Sequence, residues 1–161
     1  MTAKIASIVF TPMSVTVKSD DKYDREPAEN AQLRASHGIA GDRKAGHHPK
    51  RHLNIMSAER LDELSGEGFQ TAPGRMGEQL ILAGIDVDAL QPGDRLRLGT
   101  DAIIVINEPR TGCEKFEAIQ GQHPSVVQGR LGMMASVIAS GTIAVGDPVS
   151  VEPVPTLQGF Q

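Results

Sequence analysis

The stretch Ala102-Ile-Ile-Val-Ile-Asn107 decides the fold of this chain. It is almost wholly apolar, and the turn-forming Pro109 follows it closely. A short apolar run that ends at turn residues is typical of a strand that is buried on both faces or central to a barrel. We therefore expect residues 102–107 to lie at the centre of the core.

Alternating or apolar runs on both sides of this stretch predict further strands. They cover residues 4–10, 33–36, 53–56, 79–83, 95–98 and 133–139, and Gly-Asp turns at 93–94 and 146–147 lead into alternating segments. Helical patterns are short, and they lie between Ser57 and Gly66, at 114–120 and at 125–128. Many strands with few short helices predict a mainly β fold, a closed or partly closed β-barrel.

The length of 161 residues is typical of one domain. We expect this domain to span residues 1–152, with an irregular tail over residues 153–161 that contains Pro153 and Pro155. The apolar run at the N-terminus is too short and polar for a secretory signal, and no stretch approaches the length of a membrane span. The sequence therefore predicts a cytoplasmic protein without membrane contact.

Charge is distributed unevenly along the chain. The formal net charge is -4, yet the segment 34–52 contains a single acid, Asp42. The basic residues of this segment are Arg34, Arg43, Lys44, Lys50 and Arg51. This pattern favours a local site for an anion and disfavours a surface for nucleic acid.

Cys113 is the only cysteine, so it cannot form an internal disulfide or hold an iron–sulfur cluster by itself. Arg110 and Lys115 flank it, and a helix is predicted to begin at Glu114. Cations and helix N-termini favour a thiolate, which makes Cys113 a candidate functional group. The alternative is a small buried hydrophobic residue.

The histidines at 37, 47, 48 and 52 suggest a metal site, since imidazole is a common metal ligand. Pro49 disrupts a helical pairing of two of them, and neighbouring cations would repel a metal ion. An anion-binding loop is the better functional interpretation, and a solvated basic loop is the alternative. Three polar residues at predicted strand ends are either catalytic or turn residues: Glu78, Asn107 and Glu108.

Seven short segments occur in an informative order and spacing. They are Gly38-Ile-Ala-Gly-Asp42, Arg51-His-Leu-Asn-Ile-Met-Ser57, Gly77-Glu-Gln-Leu80, Leu90-Gln-Pro-Gly-Asp94, Arg110-Thr-Gly-Cys113, Gly129-Arg-Leu-Gly-Met133 and Gly141-Thr-Ile-Ala-Val-Gly-Asp147. Together they resemble the MOSC domain, the family named for the C-terminal part of molybdenum cofactor sulfurases. The resemblance covers most of residues 3–152, and it is to a stand-alone bacterial-type member without a pyridoxal-phosphate domain.

The resemblance implies a MOSC-type β-barrel and binding of the molybdenum cofactor, a pterin that carries a dithiolene and a phosphate. In this family the cysteine is proposed to ligate molybdenum or to handle its sulfur, a role that falls on Cys113, with Arg110 close to the metal. A thiolate is a soft ligand suited to such a metal. The residues expected to contact the rest of this anionic pterin are Arg43, Lys44, Arg51, Asn107 and Arg130.

The sequence departs from the family pattern in two places. Many relatives have a proline directly before the cysteine, where this chain has Thr111-Gly112. Many also have a histidine shortly after the Gly-Asp turn, where this chain has Lys44. We therefore expect the loop geometry and the anion contacts to differ from those of such relatives.

Three functions are compatible with these features. The first is an oxidoreductase that reduces N-hydroxylated substrates with electrons from a separate flavin or iron–sulfur protein, with His37 or Glu108 as acid donor. The second is a non-catalytic carrier that hands the cofactor, or sulfur as a Cys113 persulfide, to an apo-molybdoenzyme. The third is a barrel that binds an anionic small molecule without molybdenum.

Overall fold

A computed structural model describes residues 2–153 of the chain. Its strands are β1 (Lys4–Phe10), β2 (Glu26–Pro27), β3 (Asn30–Arg34), β4 (Gly38–Ile39), β5 (Leu53–Ser57), β6 (Leu80–Ala83), β7 (Arg95–Leu98), β8 (Ala102–Pro109), β9 (Met133–Ala139), β10 (Gly141–Ala144) and β11 (Val149–Glu152). The α-helices are α1 (Ala58–Gly66) and α2 (Glu114–Gln120), and 3-10 turns occur at Val87–Ala89 and Pro124–Val127. Apart from Pro153, the predicted tail lies outside the described residues.

The strands form two sheets. The larger has the order β11-β7-β8-β9-β5-β6-β1-β2, and the smaller has the order β10-β3-β4. Only the pair β5–β6 is parallel among the strand pairs described, so the large sheet is mixed. The mainly β prediction is confirmed.

The large sheet is not closed into a barrel. Its strand β1 meets the segment before β11 through a bridge between Lys4 and Pro148, and the Ile5 amide donates to the Asp147 carbonyl at 2.9 Å. This contact extends over only a few residues, because the chain just before Gly146 belongs to β10, which pairs with β3 in the smaller sheet. The expectation of a MOSC-type barrel is corrected in this respect.

The apolar stretch 102–107 lies inside the large sheet as part of β8, between β7 and β9. Its buried residues alternate, with Ala102, Ile104 and Ile106 wholly inaccessible, and the residues between them are half-buried. Burial on both faces, one of the two expectations for it, is therefore wrong. Because side chains alternate along a strand, one face of β8 lies in the main core and the other is only partly buried.

The other predicted elements agree well with the structure. The bounds of β1, β7, β9 and α2 are as expected, and α1 lies between Ser57 and Gly66. The strand expected at residues 33–36 instead begins at Asn30, because Ala31 and Leu33 alternate with exposed polar residues. Within the described residues, no helix is long and apolar enough to cross a membrane.

A second cluster of buried side chains supports the loops around Cys113. It contains Met56, Met76, Phe116 and Leu131, with side chains from α1. The helix α2 contributes Phe116, and Met76 lies in the turn before β6. Loops that pack on such a cluster are held in fixed positions relative to the sheet.

Candidate functional site

A cleft of about 740 Å³ contains Cys113. Four of the predicted cations also line it: Arg43, Lys44, Arg51 and Arg110. The walls come from loop segments at 11–25, 43–51 and 109–115, and the floor includes Asn54 of β5 and Gln79 just before β6. The structure thus brings together residues that are up to 123 positions apart in sequence, from Thr11 to Met134.

Cys113 is exposed and stands directly before α2. Partial burial raises the pKa of its thiol, but backbone N–H groups of Phe116 and Lys115, the Tyr23 hydroxyl and the Arg110 charge outweigh this, and the net shift is downward. A thiolate is therefore favoured here. The preceding position, 112, requires glycine, because a Cβ there would overlap the ring of Pro124.

Arg110 is fixed beside the cysteine. Its Nη1 donates to the Met76 carbonyl, and its Nη2 donates to the Tyr23 hydroxyl at 3.1 Å. The guanidinium carbon lies 5.8 Å from the ring centroid of Phe116. Because these partners are neutral, the charge of Arg110 remains available to a ligand.

Tyr23 is a site residue that the sequence reasoning missed. Burial raises the pKa of its hydroxyl, as does Cys113, whereas Arg110 lowers it. The ammonium of Lys115 lies 5.5 Å from the ring centroid and donates to the Ser19 carbonyl at 3.0 Å. The available signal was a lone aromatic residue within a charged loop.

Arg25 comes from the same loop and was also missed. Its Nη1 donates to the Thr11 hydroxyl at 3.2 Å and its Nη2 to the Gly77 carbonyl at 2.9 Å. The Nε atom is buried and has no partner among the described residues. Burial lowers the pKa of Arg25, although the nearby carboxylates of Asp42 and Glu78 oppose the shift.

The basic loop after Asp42 forms another part of the wall. Arg43 Nη2 donates to the Met13 carbonyl at 2.7 Å, and Arg51 Nε donates to Glu108 at 2.9 Å. Partial burial lowers the pKa of Lys44, and nearby cations add to this effect. Their mutual repulsion would be relieved by a bound anion.

Asn54 supplies an unusual group on the floor of the cleft. The residue is 4% exposed, and its Oδ1 atom has no hydrogen-bond partner among the described residues. Its Nδ2 atom donates to the Gly77 carbonyl at 3.3 Å, and its backbone amide donates to Gln79 at 2.7 Å. A buried acceptor without a donor is uncommon in native structures, so it marks a place for a ligand N–H or O–H group. The signal in the sequence was a polar residue inside an apolar strand.

Two of the predicted cofactor contacts lie elsewhere. Asn107 Nδ2 donates to the Lys50 carbonyl at 2.8 Å and to the Ser136 hydroxyl at 2.6 Å, and the residue does not line the cleft. Arg130 forms two hydrogen bonds with the Glu67 carboxylate, at 2.6 and 2.9 Å, also outside the cleft.

The remaining candidates are placed as follows. His37 and Glu108 do not line the cleft. Glu108 forms an ion pair with Arg51, a residue that does line it. His47 lines the cleft, with its Nε2 atom 2.7 Å from the Arg43 carbonyl oxygen. His52 is buried and accepts a hydrogen bond from the Val137 amide at 3.0 Å, and burial lowers its pKa.

The cleft is strongly cationic. Seven lysine or arginine residues line it, and among the described residues Asp24 is the one acid in the lining. Such a cavity in a chain of net charge -4 concentrates anions. With the soft sulfur of Cys113 at one side and the free Asn54 acceptor on the floor, its residues fit an anionic heterocycle that carries a thiophilic metal.

Comparisons with known proteins identify the family of the chain. The MOSC domain profile matches residues 42–150, which is more than half of the chain. No curated protein matches the sequence at a significant level.

Solved structures show the same fold. YuaD from Bacillus subtilis superimposes with a TM-score of 0.75 at 21% identity, covering 94% of this chain and 96% of that one. YiiM from Geobacillus stearothermophilus gives 0.70 at 20% identity, covering 94% and 75%. YiiM from Escherichia coli gives 0.68 at 22% identity, covering 95% and 71%. The chain therefore belongs to the MOSC domain family, a family associated with binding of the molybdenum cofactor.

Proposed function

We propose that this protein binds the molybdenum cofactor in the cationic cleft and reduces N-hydroxylated compounds with electrons from a separate flavin or iron–sulfur protein. One observation carries the proposal: an exposed cysteine with a lowered pKa stands in a cleft lined by seven cations. A thiolate among cations is suited to a soft metal that arrives on an anionic carrier.

Each part of the cleft has a role in holding the cofactor. Cys113 provides a sulfur ligand, and Arg110 balances negative charge beside it. Arg43, Lys44 and Arg51 are the natural partners of the phosphate, since a guanidinium can bind it in bidentate fashion and an ammonium as a point charge. Arg51 would exchange its contact with Glu108 for the phosphate. The Asn54 Oδ1 atom accepts a hydrogen bond from an N–H group of the pterin. Membership of the family and the charge of the cleft support these roles.

The chemistry divides between the cofactor and the chain. When bound, the cofactor would supply an oxygen-accepting, redox-active metal centre for the reduction of an N-hydroxylated substrate, with the external donor as the source of electrons. The overall reaction consumes two electrons and two protons and releases an amine and water. The chain holds the cofactor, and the Tyr23 hydroxyl and Arg110 orient the sulfur of Cys113.

The decisive experiment is metal and pterin analysis of protein expressed in a host that makes the cofactor. We expect the wild-type protein and an Arg130→Met control to contain molybdenum and pterin, and Cys113→Ser to lose most of the metal. Absence of both from the wild-type protein would contradict the proposal. If both are bound but hydroxylamine-type compounds are not reduced with a supplied electron donor, a carrier of cofactor or sulfur for an apo-molybdoenzyme is favoured instead.

A further inference from the structure

The turn formed by residues 74–78 connects three side chains of the cleft. The Met76 carbonyl accepts a hydrogen bond from Arg110 Nη1. The adjacent Gly77 carbonyl accepts from Arg25 Nη2 at 2.9 Å and from Asn54 Nδ2 at 3.3 Å. Two neighbouring backbone oxygens thus hold three side chains: Arg25 and Arg110, which lie beside Tyr23, and Asn54 on the floor of the cleft.

The side chain of Glu78 bonds to the backbone of this turn from the protein interior. Its side chain is 0% exposed, and its carboxylate accepts hydrogen bonds from the Gly74 amide at 2.7 Å and the Met76 amide at 3.2 Å. Burying a carboxylate is unfavourable unless it is well bonded, and burial does raise the pKa of Glu78. The catalytic interpretation of Glu78 is less apt than the turn interpretation, because its partners are backbone amides and it does not line the cleft.

The turn also packs tightly against the arginine and the tyrosine. A Cβ on Gly77 would lie 2.7 Å from Arg110 Nη2 and 2.9 Å from Tyr23 Cζ. The backbone there adopts φ of +91°, which glycine tolerates best. A small movement of the turn would therefore displace the guanidinium group.

We propose that Glu78 is a positioning residue for the anion-binding side chains of the cleft. Its carboxylate fixes the 74–78 turn, and the turn fixes Arg110, Arg25 and Asn54. This inference rests on the proposed function for the identity of the natural ligand, and its tests use inorganic pyrophosphate as the probe. Failure of the metal analysis and failure of these tests are therefore separate results.

The first test uses the wild-type protein and needs no substitution. Coupling between two sites is reciprocal, so an anion that binds the two arginines must act back on the turn. We expect pyrophosphate to shift the amide resonances of Gly74 and Met76 in NMR spectra. The Gly84 amide, which donates to the Glu59 carboxylate at 2.6 Å outside the cleft, is the matched control and should not move. Absence of binding, or binding that leaves Gly74 and Met76 unmoved, would overturn the proposal.

The second test is a double-mutant cycle. We expect Glu78→Gln to weaken pyrophosphate binding about tenfold, the effect of losing one charge-assisted contact. In the Arg110→Met background the same change should cost less, because one of the three positioned groups is gone while Arg25 and Asn54 remain. The control Glu67→Gln, which breaks the pair with Arg130 outside the cleft, should leave binding unchanged. Equal losses in both backgrounds would overturn the proposal, and if Glu78→Gln does not fold, the NMR titration alone decides.

Discussion

Two arginines of the cleft, Arg25 and Arg110, differ from the arginines around α1 in what they bond to. In the cleft, Arg25 and Arg110 donate to the backbone carbonyls of Gly77 and Met76. Around α1, cations face carboxylates instead: Arg60 pairs with Asp88 and Glu63, and Arg130 pairs with Glu67.

The difference separates cations that are neutralised from cations that are only held in place. A carbonyl satisfies a donor and fixes its direction, but it leaves the positive charge uncompensated. A carboxylate removes the charge from the field that a ligand experiences. The arginines around α1 therefore serve the fold, whereas Arg25 and Arg110 are prepared for an anion, at a cost in burial that lowers the pKa of Arg25.

The largest expected effect comes from Gly77→Ala, which disturbs the turn whose carbonyls hold Arg25 and Arg110. The new Cβ would crowd Arg110 and Tyr23 and would force a positive φ on alanine. Gly93→Ala is the matched control, since Gly93 has φ of +97° but a Cβ added there would meet no atom within 4 Å.

We expect Gly93→Ala to lose about 1–2 kcal/mol of unfolding free energy from backbone strain alone. Gly77→Ala should lose about 1–3 kcal/mol more from overpacking. Urea denaturation measures both values. Equal losses would mean that the turn yields easily and does not fix the arginine.

A second prediction compares the two kinds of arginine directly. Arg110→Met should weaken binding of pyrophosphate by about tenfold or more, because a charge-assisted hydrogen bond contributes about 1.5–3 kcal/mol. Arg130→Met should leave binding unchanged, since Glu67 already neutralises that cation. Isothermal titration calorimetry at fixed salt measures the affinities, and similar losses in the two variants would remove the distinction.

The smallest effect concerns the thiol of cofactor-free protein. Because the pKa of Cys113 is lowered, alkylation by iodoacetamide should remain fast at pH values below those at which an ordinary thiol becomes protonated. Tyr23→Phe removes a hydroxyl group that favours the thiolate, so the alkylation profile should move to higher pH. An unchanged profile would show that backbone amides and Arg110 suffice to stabilise the thiolate.

The sequence predicted the elements of the fold better than their closure. Local alternation was enough to place β1, β7 and β9, because burial on one face of a strand has a period of two. Whether β1 pairs fully with β11 depends on where the chain before Gly146 goes, and that is settled by its pairing with β3 far away in sequence.

The site was predictable where residue type carries the chemistry. Cys113 and the cations at 43, 44, 51 and 110 do meet in one cleft. Tyr23 and Arg25 were missed because a polar loop without periodicity gives no indication of what it folds against. Arg130 and Asn107 resemble anion-binding residues in sequence. Only the structure shows that Arg130 already bonds to Glu67 and that Asn107 already donates to a backbone carbonyl.

The position of Tyr23 also has an optical consequence. It is the only tyrosine of the chain, and the chain contains no tryptophan. Intrinsic fluorescence of this protein therefore originates almost entirely from a ring beside Arg110 and Cys113. Occupancy of the cleft can be followed by emission spectroscopy of the unlabelled protein, without a background signal from the remainder of the fold.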